Sequence, residues 1–174
     1  AVLLGDWMFT RGLHIAAAEK EPHIMPLLIE ATSGMVKGEL IQIEYSSLES
    51  INLANYHRII DFKTAQFLGA CIEVGALNQE MPLEDAHKLY QFGYHTGLGF
   101  QIVDDLMDFS QKGLTGKDVG NDYYDGKVTL PVIFLYEKYP EYRQELKRLY
   151  QSKTKENFAR LKAMVAEKET LAMA

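Results

Sequence analysis

The chain contains long runs in which apolar residues recur every three or four positions. This spacing is typical of amphipathic α-helices, and the sequence does not sustain the alternation at every second position that strands would need. Prolines near the start of a run and polar or glycine-rich stretches between runs indicate the helix boundaries. The pattern predicts helices at residues 3–18, 22–45, 53–76, 82–110, 128–136, 141–150 and 155–167.

The longest predicted helices span roughly 20 to 28 residues, whereas the mean in globular proteins is about 11 to 12. Because these helices are apolar over much of their circumference, we expect an all-α fold, a layered bundle of long helices. A length of 174 residues favours one domain, and we interpret residues 1–174 as that domain. Since the helical pattern is already running at the first residues and is cut at the last, we also expect a piece of a longer protein, incomplete at its N-terminus.

Charge and composition argue against several classes of protein. The formal net charge of -6 argues against nonspecific nucleic-acid binding, which depends on neutralised phosphates. No run approaches the ~18 apolar residues of a membrane span, and the first residues lack the basic flank and cleavage pattern of a signal peptide. The single cysteine, Cys71, fits a reducing compartment. We therefore expect a cytoplasmic protein without a transmembrane segment.

Three carboxylates interrupt the apolar pattern near the end of the fourth predicted helix, in the sequence FQIVDDLMDF at residues 100–109. At helical pitch, Gln101, Asp104 and Asp108 share one face, with Asp105 at its edge. Clustered acids among apolar neighbours are unfavourable unless a cation compensates for them. Mg²⁺ is usually held by one or two carboxylates together with substrate phosphates. The stretch is either such a site or a solvated acidic patch at a helix end, and its own residues do not decide between the two.

A glycine-spaced stretch follows directly at residues 111–127, and it is the only long irregular segment of the sequence. Loops of this length in a compact helical protein are usually functional or disordered. Lys117 and Lys127 each follow a glycine, which lets the backbone approach a ligand, and lysine is a point charge suited to phosphate. Lys63 and Thr64 lie in the middle of the third predicted helix. Each residue alone is better explained as part of a solvated surface, but the place of Lys117 and Lys127 after the aspartates favours phosphate binding.

Five short motifs stand in order between residues 3 and 131. They are LLGD at residues 3–6, GELIQ at 38–42, KTA at 63–65, DDLMD at 104–108, and GKDVGND with GKVTLP at 116–122 and 126–131. This series resembles the trans-prenyl diphosphate synthases, in which DDxxD is the second aspartate-rich motif. The ordered set is far more specific than a lone DDxxD would be.

The resemblance implies a fold of the isoprenoid synthase type and an enzyme of isoprenoid biosynthesis with Mg²⁺ as its cofactor. Such an enzyme condenses an allylic diphosphate with isopentenyl diphosphate, and the family usually forms homodimers. Carried over to this sequence, Asp104, Asp105 and Asp108 would bind metal and, together with Lys63, would be catalytic. The residues that would contact the allylic diphosphate are Lys63, Thr64, Gln101, Lys117 and Lys127.

The family's first DDxxD motif and the arginines after it lie upstream of the region that matches residues 3–6, and this sequence does not contain them. We therefore interpret the chain as a fragment of a polyprenyl diphosphate synthase and predict that it has no prenyltransferase activity alone. The alternative is a noncatalytic diphosphate-binding or regulatory subunit of a heteromeric prenyltransferase. An intact mass near 19.8 kDa from an untruncated native source would favour that alternative. The GKVTLP segment disfavours a terpene cyclase.

Overall fold

The computed structural model describes residues 2–109 and 119–173, which form helices and turns without a strand. Nine α-helices lie in these residues: α1 (Val2–Ala18), α2 (Ile24–Glu44), α3 (Leu53–Ile60), α4 (Gln66–Leu77), α5 (Leu83–Met107), α6 (Asn121–Asp125), α7 (Leu130–Lys138), α8 (Arg143–Gln151) and α9 (Lys155–Glu167). A π-helical turn occupies Asp61–Ala65, and 3₁₀ turns occupy Pro140–Tyr142 and Thr170–Met173. The predicted all-α fold is confirmed.

The structure differs from the predicted elements at three places. The helix predicted at 53–76 changes to π-helical pitch at residues 61–65, a widening that leaves no mark in hydrophobic periodicity. The helix predicted to reach Ser110 ends at Met107, and Ser110 itself lies outside the described residues. The described part of the predicted irregular stretch contains α6, which is flanked by glycines at φ of 84° and 85°. Glycine adopts this left-handed conformation without steric cost, so the chain can enter and leave so short a helix.

The chain divides into two compact units. Unit 1 comprises Ala1–Lys37 and Asp61–Leu98, and unit 2 comprises Gly38–Ile60 and Gly99–Ala174. The interpretation of residues 1–174 as one domain stays a prediction. No helix of the described residues is both long enough and apolar enough to span a membrane.

Small residues let the helices of unit 1 approach one another closely. Ala65 of the π turn and Ala70 of α4 are buried. A Cβ atom added to Gly97 of α5 would lie only 2.7 Å from the Cα of Ala65 and 3.2 Å from the carbonyl oxygen of Thr64. Backbone atoms cannot yield as a flexible side chain can, so this position of α5 requires glycine. The close contact fixes α5 against the turn that carries Lys63 and Thr64.

The apolar side chains of α1 lie largely at the surface of unit 1. Leu3 is 84% exposed and Trp7 is 64% exposed, and Leu4, Met8, Phe9 and Ile15 are exposed as well. Large exposed apolar surfaces often mark interaction sites.

Unit 2 is built around α7. This helix packs against α3 and α9, and Val132, Ile133 and Leu135 are almost completely buried. Further fully buried apolar side chains of this core come from α8 and α9: Leu146, Leu161, Met164 and Val165. Tyr123 of α6 is buried against Phe158 of α9, with ring centroids 5.5 Å apart. The core thereby fixes α6, which lies beside the end of α5.

Candidate functional site

Asp105 is the most deeply buried acid of the aspartate motif, by which we mean Asp104, Asp105 and Asp108. The residue is 4% exposed. The hydroxyl of Tyr56 donates to its Oδ2 at 2.7 Å, and Nε2 of Gln101 donates to its Oδ1 at 3.1 Å. Both carboxylate oxygens therefore accept hydrogen bonds from within unit 2, although helical phase alone placed Asp105 at the edge of the acidic face.

Asp108 binds the backbone that leads into α6. Its Oδ1 accepts the N–H groups of Gly120 at 2.9 Å and Asn121 at 3.0 Å, and its Oδ2 accepts that of Asp122 at 3.2 Å. The prediction that Asp108 lies inside a helix reaching residue 110 is wrong. Because α5 ends at Met107, the carboxylate can reach three N–H donors 12 to 14 residues further along the chain.

Lys127 lies beside two aspartates. Its Nζ is 2.8 Å from Oδ1 of Asp122 and 3.4 Å from Oδ2 of Asp125. Burial alone would lower the pKa of Lys127, but the two carboxylates outweigh it, and the pKa is raised. The hydroxyl of Tyr150 also donates to the Lys127 carbonyl oxygen at 3.1 Å. Lys127 therefore stays protonated at neutral pH, with a defined position and a side chain that is one-third exposed.

Burial and mutual repulsion make this end of unit 2 unfavourable for negative charge. Burial is the main reason why the pKa of Asp105 rises to about 6, and the hydrogen bonds from Tyr56 and Gln101 oppose that rise. Burial also raises the pKa of Asp108, and the nearby charge of Asp122 adds to the effect. A cation bound here would relieve both effects.

The raised pKa of Asp105 predicts that the metal-free chain loses stability as the pH rises. The ordinary value is 3.8, so the protonated form stabilises the fold fully below about pH 4, and this contribution is lost as the pH passes through about 6. A pKa that is about two higher in the folded chain corresponds to a change of about 3 kcal/mol in the free energy of unfolding. The polar groups that face the carboxyl group are those of Tyr56, Gln101 and Asp122 and the backbone N–H of Leu130.

We expect urea unfolding between pH 4 and 7.5, without divalent cations, to show this loss. The variant Asp105→Asn should flatten the pH dependence, and the part that remains should come from Asp108, whose pKa is shifted in the same direction. If the free energy of unfolding depended on pH equally in the variant and the wild type, Asp105 would not be the group responsible for the loss.

The structure places the predicted site residues as follows. Gln101, Lys127 and the aspartate motif lie in unit 2, where Gln101 contacts Asp105 directly. Lys63 and Thr64 lie on the π turn in unit 1. Lys117 lies outside the described residues.

Oxygen ligands are available for a metal ion, but a closed cage is not formed. Within residues 2–109 and 119–173, no three His, Cys, Asp or Glu side chains are placed to hold a metal ion together. Mg²⁺ keeps several waters and commonly takes one or two carboxylates plus substrate phosphates. Asp104 and Asp108 are both partly exposed, so they fit Mg²⁺ that also has a phosphate ligand.

Sequence reasoning missed Tyr56, the hydrogen-bond partner of Asp105 from 49 residues upstream. Local spacing carries no sign of such a contact. One signal was available, because a tyrosine on the apolar face of a helix needs a partner for its hydroxyl when it is buried.

Comparison with known proteins places the chain in a family. The sequence profile of the polyprenyl synthetase family matches residues 1–167. The chain belongs to the polyprenyl synthetase family. A relative within this family, heptaprenyl diphosphate synthase component 2 of Bacillus subtilis, is 35% identical over 158 residues, which are 90% of this chain and 45% of the relative. The resemblance found in the motifs is thus confirmed.

Solved polyprenyl synthase structures share the fold. A polyprenyl synthase of Caulobacter crescentus, solved with calcium and isoprenyl diphosphate, superposes with a TM-score of 0.91 at 27% identity. The heptaprenyl diphosphate synthase of Staphylococcus aureus superposes with a TM-score of 0.88 at 28% identity. Each comparison covers 99% of this chain and 54% of the other chain. The isoprenoid synthase type of helical bundle is confirmed, and the chain spans about half the length of the polyprenyl synthetase relatives that it matches.

Proposed function

We propose that the chain is part of a polyprenyl diphosphate synthase, a prenyltransferase that condenses an allylic diphosphate with isopentenyl diphosphate. The observation that carries the proposal is the end of α5, where the aspartate motif lies beside α6 and the cationic Lys127. Family membership supports it, as do relatives named for polyprenyl diphosphate synthesis. The prediction that this chain alone elongates no prenyl chain stays a prediction.

In the proposed site, Asp104 and Asp108 hold Mg²⁺, and Asp105 assists them from its buried position. The bound metal supplies positive charge that stabilises the departing diphosphate. Lys127 exchanges the carboxylate of Asp122 for a diphosphate oxygen, so that its ammonium group keeps an anionic partner throughout. The family resemblance further assigns diphosphate contacts to Lys63, Thr64, Gln101 and Lys117, and these assignments stay predictions.

We also propose a homodimer. The exposed apolar side chains of α1, among them Leu3 and Trp7, form the kind of surface that an obligate interface covers.

Calorimetric titration with farnesyl diphosphate, an allylic diphosphate, tests the proposed function. We expect binding in millimolar Mg²⁺ and at least a tenfold loss of affinity in EDTA, because the carboxylates repel a diphosphate that no metal bridges. Farnesol, which lacks the diphosphate, serves as the control and should bind weakly under both conditions. Equal affinity for farnesyl diphosphate with and without Mg²⁺ would contradict the proposal.

A further inference from the structure

The hydrogen bond between Tyr56 and Asp105 joins two distant parts of unit 2. Tyr56 lies on α3 and Asp105 on the last turns of α5, and each residue is 4% exposed. Their oxygens are 2.7 Å apart, the usual distance when a hydroxyl donates to an oxygen. Because both residues are buried, the contact is shielded from water.

Asp105 is directed inward, whereas its neighbours in the aspartate motif are partly exposed. Tyr56 and Gln101 each donate to one of its two oxygens, and with 4% exposure the carboxylate has little surface that a bound cation could reach. Asp104 precedes it and Asp108 follows it, and both have surface that solvent reaches. The role of Asp105 that this geometry favours is to hold the helix end.

The end of α5 is held at two points. On one side Tyr56 binds Asp105, and on the other Asp108 binds the N–H groups of residues 120–122. Asp104 lies next to the first point and one turn before the second. These two contacts restrain the last turn of α5, which carries Asp104.

We propose that Tyr56 is a positioning residue of the Mg²⁺–diphosphate site. Its hydroxyl holds Asp105 inside unit 2 and thereby orients Asp104 toward the cation. This inference rests on the proposed function. Tyr56 itself contacts neither metal nor substrate. Partners that orient a metal ligand typically change metal affinity by about 10- to 100-fold when they are removed.

The test is Tyr56→Phe, which removes the hydroxyl and keeps the ring. We measure the Mg²⁺ concentration that gives half-maximal binding of farnesyl diphosphate, and expect it to rise about tenfold, with unchanged affinity at saturating Mg²⁺. Asp105→Asn, which weakens the same contact from the other side, should shift the midpoint in the same direction. The matched control is Tyr142→Phe, which removes an exposed hydroxyl bonded to Glu167 at 3.1 Å and should leave the midpoint unchanged.

A second readout needs no metal. Amide hydrogen exchange at residues 104–109 should become faster in Tyr56→Phe and stay unchanged in Tyr142→Phe, because only the first variant releases the end of α5. Tyr56→Phe could instead lower the melting temperature and leave both the Mg²⁺ midpoint and the amide exchange unchanged. That result would show that Tyr56 only stabilises the core, and it would overturn the proposal. If the wild-type chain itself shows no Mg²⁺-dependent binding, the proposed function and this inference fall together.

Discussion

Asp104→Asn should lower the Mg²⁺-dependent affinity of the chain for farnesyl diphosphate about 100-fold. In the proposed site Asp104 and Asp108 hold the metal, and Asp105 is only 4% exposed, so the substitution removes one of the two carboxylates that solvent reaches. Removal of a group that merely orients a ligand costs about 10- to 100-fold in metal affinity, and loss of a charged ligand lies at the upper end of that range. Calorimetric titration at a Mg²⁺ concentration near the wild-type midpoint measures the change.

Asp85→Asn is the matched control for this substitution. Asp85 lies on the same helix, in its first turn, and pairs with Lys88 at the surface at 2.9 Å. The control removes the same charge from α5 and should leave the affinity within about twofold of the wild type, because an exposed ion pair contributes little. If Asp104→Asn and the wild type bound farnesyl diphosphate equally well, Asp104 would not be part of the site.

Gly97→Ala should destabilise the chain by about 1 to 3 kcal/mol, the usual cost of forcing extra atoms into a packed contact. The added methyl group would meet the backbone of Ala65 and Thr64 at 2.7 and 3.2 Å. Either α5 or the π turn must move to make room, so Lys63 and Thr64 should be displaced. Urea unfolding measures the free energy, and the amide signals of residues 61–65 should shift in NMR spectra.

Gly99→Ala, two residues further along α5, separates the steric effect from helix propensity. A Cβ atom there would meet nothing within 4 Å. Alanine favours a helix over glycine by up to about 1 kcal/mol, so this control should be neutral or stabilising. If the two substitutions changed the free energy of unfolding equally, the close approach at Gly97 would not be a constraint.

The helices were predictable because one physical cause, burial of an apolar face, produces their period. Residues 155–167 were predicted with the bounds of α9. The end of α5 was not predictable, because the Asp108 carboxylate accepts hydrogen bonds from N–H groups more than ten residues further along the chain. The π turn was also missed, since one widened turn hardly changes the spacing of apolar residues.

For the candidate site, the sequence predicted which residue types lie close together but not how they pair. The contact of Gln101 with Asp105 is local, one helical turn, and follows from spacing. The contact of Tyr56 with Asp105 depends on how α3 packs beside α5 in unit 2, and no local pattern encodes it. Lys127 was predicted as a phosphate ligand, a role that stays a proposal, while its pairing with Asp122 and Asp125 emerged only in the fold.

A crystal structure of the chain with Mg²⁺ and farnesyl thiodiphosphate, which resists cleavage, tests the proposed site most directly. The proposed function predicts a metal ion about 2.0 to 2.1 Å from a carboxylate oxygen of Asp104, bridging to the diphosphate. The ammonium group of Lys127 should lie within hydrogen-bond distance of a diphosphate oxygen. A diphosphate bound elsewhere, or bound here without a metal ion on the aspartate motif, would contradict the proposal.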